Sequence, residues 1–182
     1  MLRRGRDFIQ LPGPTNIPDR VLRAMHRPMV DFAGAEFTAM ARGCLDELRH
    51  VFQTEAPVYA YSANGHGAWE IALANLIAPG EAVLMPETGR FSQSWAEMAR
   101  ALGIEVVTTE AFHDRPVDPA ALEAALRADT GGRIKAVAMV QVETSTGVTH
   151  DMRAVRAAID AAGHSALLLV DAIACLGCID LP

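Results

Sequence analysis

Lysine is almost missing from this sequence: of its 16 basic residues all but Lys135 are arginine. Chemistry that needs an amine side chain therefore has a single candidate. No apolar run reaches the roughly eighteen residues that a bilayer span requires, so no membrane segment is expected. The start, Met1-Leu2-Arg3-Arg4-Gly5-Arg6-Asp7, carries arginines with no apolar stretch behind them, and a secretory signal is not expected either. The net charge of -6 comes without any block of like charge, so the basic stripe that nucleic acid needs is lacking. Three cysteines, an odd number, make no disulfide framework, which points to a reduced, cytoplasmic protein. Neither a Walker A loop nor a GxGxxG fingerprint occurs, which weakens the reading as a nucleotide-dependent enzyme.

What is present is an α/β rhythm. Pro57–Ser62 (PVYAYS) reads as a strand, followed by a helix over His66–Ile77 that Pro79-Gly80 closes. Ala82–Pro86 is a second strand, Ser92–Leu102 a helix stopped at Gly103, and Ile104–Thr109 a third strand. Asp118-Pro119 places a cap and then proline at the first helical position, opening a helix to about Ala128. Ile134–Val142 is apolar enough to be covered on both faces. Asp151 caps a helix through Met152, Val155 and Ile159, and Ala166–Val170 is a fifth strand delivering Asp171. Upstream, Arg20–His26 and Glu36–Phe52 read as amphipathic helices. Strands alternating with helices imply an α/β domain with a mainly parallel central sheet and flanking helices. No linker composition or internal repeat divides it.

Open parallel sheets bind ligands at the carboxyl ends of their strands, and three of those ends are chemically unusual here. Ser62-Ala63-Asn64-Gly65-His66-Gly67-Ala68 joins a strand to a helix. Its glycines allow close backbone approach, and the helix N-terminus offers partial positive charge to a phosphate; a plain capped turn is the competing reading. Glu143-Thr144-Ser145-Thr146-Gly147-Val148 offers hydroxyls that serve either a turn or a ligand. Asp171 follows five apolar residues, and a carboxylate there is costly to bury without a cationic or strong donor partner.

In this order the three segments resemble the class V aminotransferases of the pyridoxal-phosphate (PLP) fold type I, and are especially similar to the serine–glyoxylate branch. The matching stretches are Leu11–Met25, Gly65–Phe91, Ile134–Val148 and Ala158–Gly177. The resemblance implies that Asn64, Gly65 and His66 bind the PLP phosphate and that Phe91 stacks on the pyridine face. It implies that Thr144 reaches toward the ring, that Asp171 pairs with the pyridine nitrogen and that Ile173 packs on the other face. Gly13 falls in the loop that the family folds over the substrate. The fold implied is the fold type I large domain, truncated. Residues 1–182 would be its N-terminal segment and part of the cofactor-binding domain, without the small domain.

The same resemblance places a Schiff-base lysine after the Asp171 strand, beyond Pro182. Lys135, at the start of a strand, lies at the wrong end to replace it. The 182 residues alone are therefore expected not to transaminate, and a non-catalytic binding or dimerising protein stays open as an alternative. For the complete enzyme the resemblance implies a small amino acid and a 2-oxo acid as substrates and a homodimer. Alanine or ureidoglycine remain alternatives to serine as amino donor. Cys175 and Cys178 form a Cys-x-x-Cys, read as packed small residues rather than a redox pair or half a zinc site, since no His or Cys elsewhere has ligand spacing.

Overall fold

The computed structural model describes residues 5, 9–110 and 112–179. The opening stretch Met1–Asp7, apart from Gly5, and the last three residues lie outside them. Two compact units are present, Met1–Ala60 and Tyr61–Pro182, although no change of composition marks the division.

The first unit carries α1 (Asp19–Met25) and α2 (Ala35–Phe52), close to the expected spans. Gly34 sits at the N-cap of α2, and Gln53 ends it in the left-handed conformation while its amide reaches back to Arg49 and His50. Arg27 pairs with Glu36 at 2.6 Å. No residue of either helix is buried. Met29 and Phe32 are 98% and 80% exposed.

The second unit is layered. Its helices and strands are α3 (Gly65–Leu76), β1 (Ala82–Leu84), α4 (Arg90–Ala101), β2 (Glu105–Val107), α5 (Pro119–Ala128), β3 (Ile134–Val140), β4 (Val142–Glu143), β5 (Val148–Thr149), α6 (Met152–Ala161) and β6 (Leu167–Asp171). Four strands form a parallel sheet in the order β2-β1-β3-β6. Because alternate side chains point to opposite faces, two cores result. Leu84, Val137 and Met139 meet Leu122 and Leu126 of α5 and Val155 and Ile159 of α6. Val83, Ala136, Ala138 and Val140 meet Trp69 and Leu73 of α3 and Trp95, Ala96 and Ala99 of α4. The alanines of β3 on that second face leave room for the two indoles. Lys135 is the extra residue of an irregularity: Ala82 pairs with Ile134 but Val83 with Ala136.

Asp118 caps α5 by accepting from Ala120 N at 2.9 Å, with Pro119 at the first helical position as the sequence predicts. Two expectations fail. Pro57–Ser62 makes no strand among the described residues: Pro57 has no N–H to donate, and Tyr59 and Tyr61 are exposed with no neighbouring strand to pair with. The strand expected over Ile134–Val142 breaks at Gln141, whose amide donates to Asp171 O and whose carbonyl accepts from His150 N. The chain then folds back as the β4–β5 hairpin, with Gly147 at φ 77 in its turn. No helix among the described residues is long and apolar enough to cross a membrane.

Candidate functional site

β1, β3 and β6 run parallel, so their carboxyl ends lie at one edge of the sheet. β1 and β3 are adjacent while β2 lies on the far side of β1, so the connections diverge there, as at the crevices where open sheets bind ligands. The structure brings five of the expected residues of this unit together at that edge through direct contacts, with Asn64 and Thr144 beside them in the chain. Asp171 Oδ2 accepts from Trp69 Nε1 at 3.0 Å and Oδ1 from Ile173 N at 2.9 Å. Trp69 stacks on Trp95 at 5.4 Å and meets Phe91 edge-on at 6.4 Å, and the His66 ring is tilted against it at 4.4 Å. A Cβ on Gly65 would lie 3.2 Å from Ile173 Cδ1, which brings the helix turn against the segment after Asp171. Gly13 belongs to the first unit and is exposed.

The start of α3 is a capped turn and an open one at once. Asn64 accepts from Gly67 N through both its side chain, at 3.2 Å, and its carbonyl, at 3.1 Å. Gly67 has to be glycine, since a Cβ there would lie 2.6 Å from Ala63 Cβ. The amides of Gly65 and His66 have no partner among the described residues. A neutral cap sets α3 apart, because the other three helices of this unit each meet a carboxylate. Asp118 caps α5, Asp151 caps α6 by accepting from Arg153 N and Ala154 N, and Glu143 caps α4. An anion is repelled at those three N-termini and attracted at the fourth.

The contact that joins the α4 terminus to the Glu143 segment was not legible in the sequence. Glu143 is fully buried, and its oxygens accept from Phe91 N at 3.1 Å, Ser92 N at 3.1 Å, Ser145 N at 3.1 Å and Ser145 Oγ at 2.7 Å. Ser145 Oγ also accepts from Arg90 N at 3.0 Å, so the β4–β5 hairpin supplies acceptors for three successive amides at the start of α4. Burial pushes the Glu143 carboxyl up, but the hydrogen bonds from Ser145, Ser92 and Phe91 outweigh it and hold it below its ordinary value. Burial likewise lowers His150, against the attraction of Glu143. Burial raises the Cys175 thiol, with the Asp171 and Cys178 charges adding to it, which does not suit a nucleophile.

A pH dependence follows. A depressed carboxyl stabilises the fold above its ordinary value of 4.5 and loses that contribution as pH falls through the lower folded value. His150, neutral in the fold, similarly loses its contribution as pH falls below its ordinary 6.5. The thermal midpoint, followed by circular dichroism, is therefore expected to fall on acidification in two stages. His150→Gln should remove the upper one.

Lys135 sits elsewhere. Its Nζ donates to Gly132 O at 2.7 Å and lies 3.5 Å from Glu81 Oε1. Val140, five residues on, is the partner of Asp171, so Lys135 is about 16 Å from the site along the strand.

These residues suit the phosphorylated pyridine that the resemblance implies: open amides at an uncharged helix cap for the phosphate, a carboxylate for the ring nitrogen, and Phe91 and Ile173 for its faces. Trp69, Glu143 and Ser145 are additions that sequence reasoning missed. Glu143 stood within a motif already singled out, and a carboxylate between an apolar strand and three hydroxyls was the available signal.

A family model described as aminotransferase class-V matches residues 10–181. The chain is 45% identical over 176 residues to a serine–glyoxylate aminotransferase of Methylorubrum extorquens, covering 96% of this chain and 44% of the relative. It is 38% identical over 173 residues to an L-aspartate–glyoxylate aminotransferase of Paracoccus denitrificans, covering 94% and 44%. Among solved structures, an alanine–glyoxylate aminotransferase of Nostoc sp. matches with a TM-score of 0.85 at 32% identity, covering 97% of this chain and 46% of that one. The chain thus spans less than half the length of the relatives it matches.

Proposed function

The chain belongs to the class-V aminotransferase family, with the α/β, parallel-sheet fold of the fold type I enzymes, and from that premise we propose that it forms the cofactor cradle of a glyoxylate transaminase. Residues 1–182 are then the N-terminal segment and part of the cofactor-binding domain. The observation that carries this reading is the start of α3. It is a helix terminus with two open amides and no carboxylate, held against the Asp171 segment by Ile173 and Trp69.

Pyridoxal phosphate, when bound, supplies a carbonyl that accepts an amino group and a ring that takes up electron density. The chain's own residues do the rest of what is proposed. Gly65 and His66 amides hold the phosphate, with Asn64 fixing their turn. Asp171, oriented by Trp69 and Ile173, keeps a proton on the pyridine nitrogen through a charge-assisted bond. Phe91 and Ile173 cover the two ring faces, and Thr144 lies alongside. Gly13 keeps only the place in the substrate loop that the resemblance implies.

Serine is the amino donor we favour, on the identity to the Methylorubrum enzyme; aspartate, alanine and ureidoglycine relatives support glyoxylate as the shared acceptor. A homodimer is the assembly that the family resemblance implies for the complete enzyme. Three unpaired cysteines support a reducing, cytoplasmic setting.

The 182 residues should bind but not turn over, because their one lysine lies at the far end of β3. Given serine, glyoxylate and PLP, the chain is expected to form hydroxypyruvate and glycine no faster than free PLP does. When the same residues are joined to a lysine-bearing segment, transfer should be at least about a hundredfold faster, the lower end for positioned proton transfer. Turnover by the 182-residue chain above free PLP would refute the role assigned to Lys135.

A further inference from the structure

The buried carboxylate of Glu143 is used by no step above, yet it joins two parts of the site that lie far apart in sequence. Resting on the cofactor reading, we propose that Glu143 is a positioning residue: through the amides of Phe91 and Ser92 it sets the aromatic ring against the cofactor, and through the adjacent backbone it sets Thr144.

Four observations carry this. The carboxylate is fully buried, where an ionised group persists only when its lone pairs are taken up, and four donors take them up. Two of the donors belong to the first turn of α4, and one of those is the amide of Phe91 itself. The other two come from Ser145, so the carboxylate clamps the residue on the far side of Thr144. Finally, Gly89 leaves the space the carboxylate occupies, since a Cβ there would lie 2.4 Å from Glu143 Cγ. Capping alone needs much less: Asp118 and Asp151 cap α5 and α6 from the residue just before each helix. The α4 cap arrives from 51 residues away, in the hairpin that carries Thr144. Its effect is to lock the end of β1 and the end of β3 into one relative position.

The test uses the 182-residue chain and pyridoxamine 5′-phosphate, which needs no lysine for binding. Binding is read from the emission of Trp69 and Trp95, the protein's two tryptophans. Glu143→Gln keeps the volume but turns an amide donor toward donors. It is expected to weaken binding of pyridoxamine phosphate about tenfold, while competition by inorganic phosphate, held at α3, is unchanged. In the ligand-free variant, amide exchange at Phe91 and Ser92 should accelerate about tenfold or more with β3 amides unaffected. Glu143→Asp, which keeps the charge, should recover part of both effects. Equal weakening toward phosphate and the pyridoxamine ester, or uniform acceleration of exchange, would overturn the proposal in favour of a general stability role. Unchanged affinity in Glu143→Gln would overturn it alone, whereas failure of the unmutated chain to bind would overturn the cofactor reading with it.

Discussion

Replacing Asp171 with alanine is expected to lower the affinity for pyridoxamine 5′-phosphate by about 10- to 100-fold near neutral pH. That is the range for losing a hydrogen bond between charged groups. The carboxylate stands at the end of β6, with one oxygen held by the Trp69 indole and the other by the Ile173 amide. The substitution therefore removes two things at once. It takes the partner from the pyridine nitrogen, and it leaves the indole N–H of Trp69, a residue only 5% exposed, with no acceptor. The second loss should cost about 1–3 kcal/mol of stability. Asp171→Asn separates most of them, because the amide oxygen can still accept from Trp69 without carrying charge, at the cost of turning its NH2 toward the Ile173 amide. The asparagine variant should keep most of the thermal midpoint and lose the affinity. Tryptophan emission and circular dichroism on the same samples measure both. Full affinity in Asp171→Asn would remove Asp171 from the site.

Gly89→Ala should be the more damaging change to the fold. The φ of Gly89 is 168, extended backbone that alanine adopts without strain, so the cost is spatial. The new methyl would lie 2.4 Å from Glu143 Cγ, 2.6 Å from Ser145 Oγ and 2.7 Å from Glu143 Cδ. Glu143 has nowhere to retreat, because its oxygens are held by the groups that fix it. Either α4 shifts or the carboxylate gives up its donors while still buried. We expect about 3 kcal/mol of destabilisation, the sum of overpacking and lost charged hydrogen bonds. For a chain of this length that is about 6–12 °C in the thermal midpoint. Gly131→Ala is the matched control: its nearest neighbour is 3.7 Å away, and it should shift stability by no more than about 0.5 kcal/mol. Equal midpoints for the two variants would mean that the α4–hairpin contact is not packed as described.

The parts of the fold legible in the sequence were those written into local chemistry. Asp118-Pro119 announces a helix start because the carboxylate and the fixed proline φ act within one turn. The apolar run before Asp171 announces a strand, and it pairs parallel with β3 at the end of the sheet, where Leu167 and Val170 stay exposed. Pro57–Ser62 shows the converse. Val58, Tyr59 and Tyr61 suit a strand by residue type, but a strand also needs a neighbour, and residue type says nothing about neighbours. The hairpin after Gln141 was hidden for a related reason: two-residue strands carry no measurable period.

The site divided along the same line. Asn64 and Gly65 in a turn and Asp171 at a strand end stood out by residue type, while their proposed roles came from the resemblance. The indole of Trp69 bonds a carboxylate 102 residues away, and in sequence it is one more aromatic on the apolar side of a helix. Glu143 reaches donors 51 and 52 residues back, and its depressed titration exists only because those donors converge. Contacts of that range follow from tertiary packing.

The most direct test of the account is a crystal structure of the 182-residue chain with pyridoxamine 5′-phosphate. The account predicts the phosphate on the amides of Gly65 and His66, the ring nitrogen on the carboxylate of Asp171, and the ring lying against Phe91. A phosphate seated at any other helix, or a ring nitrogen turned away from Asp171, would contradict it.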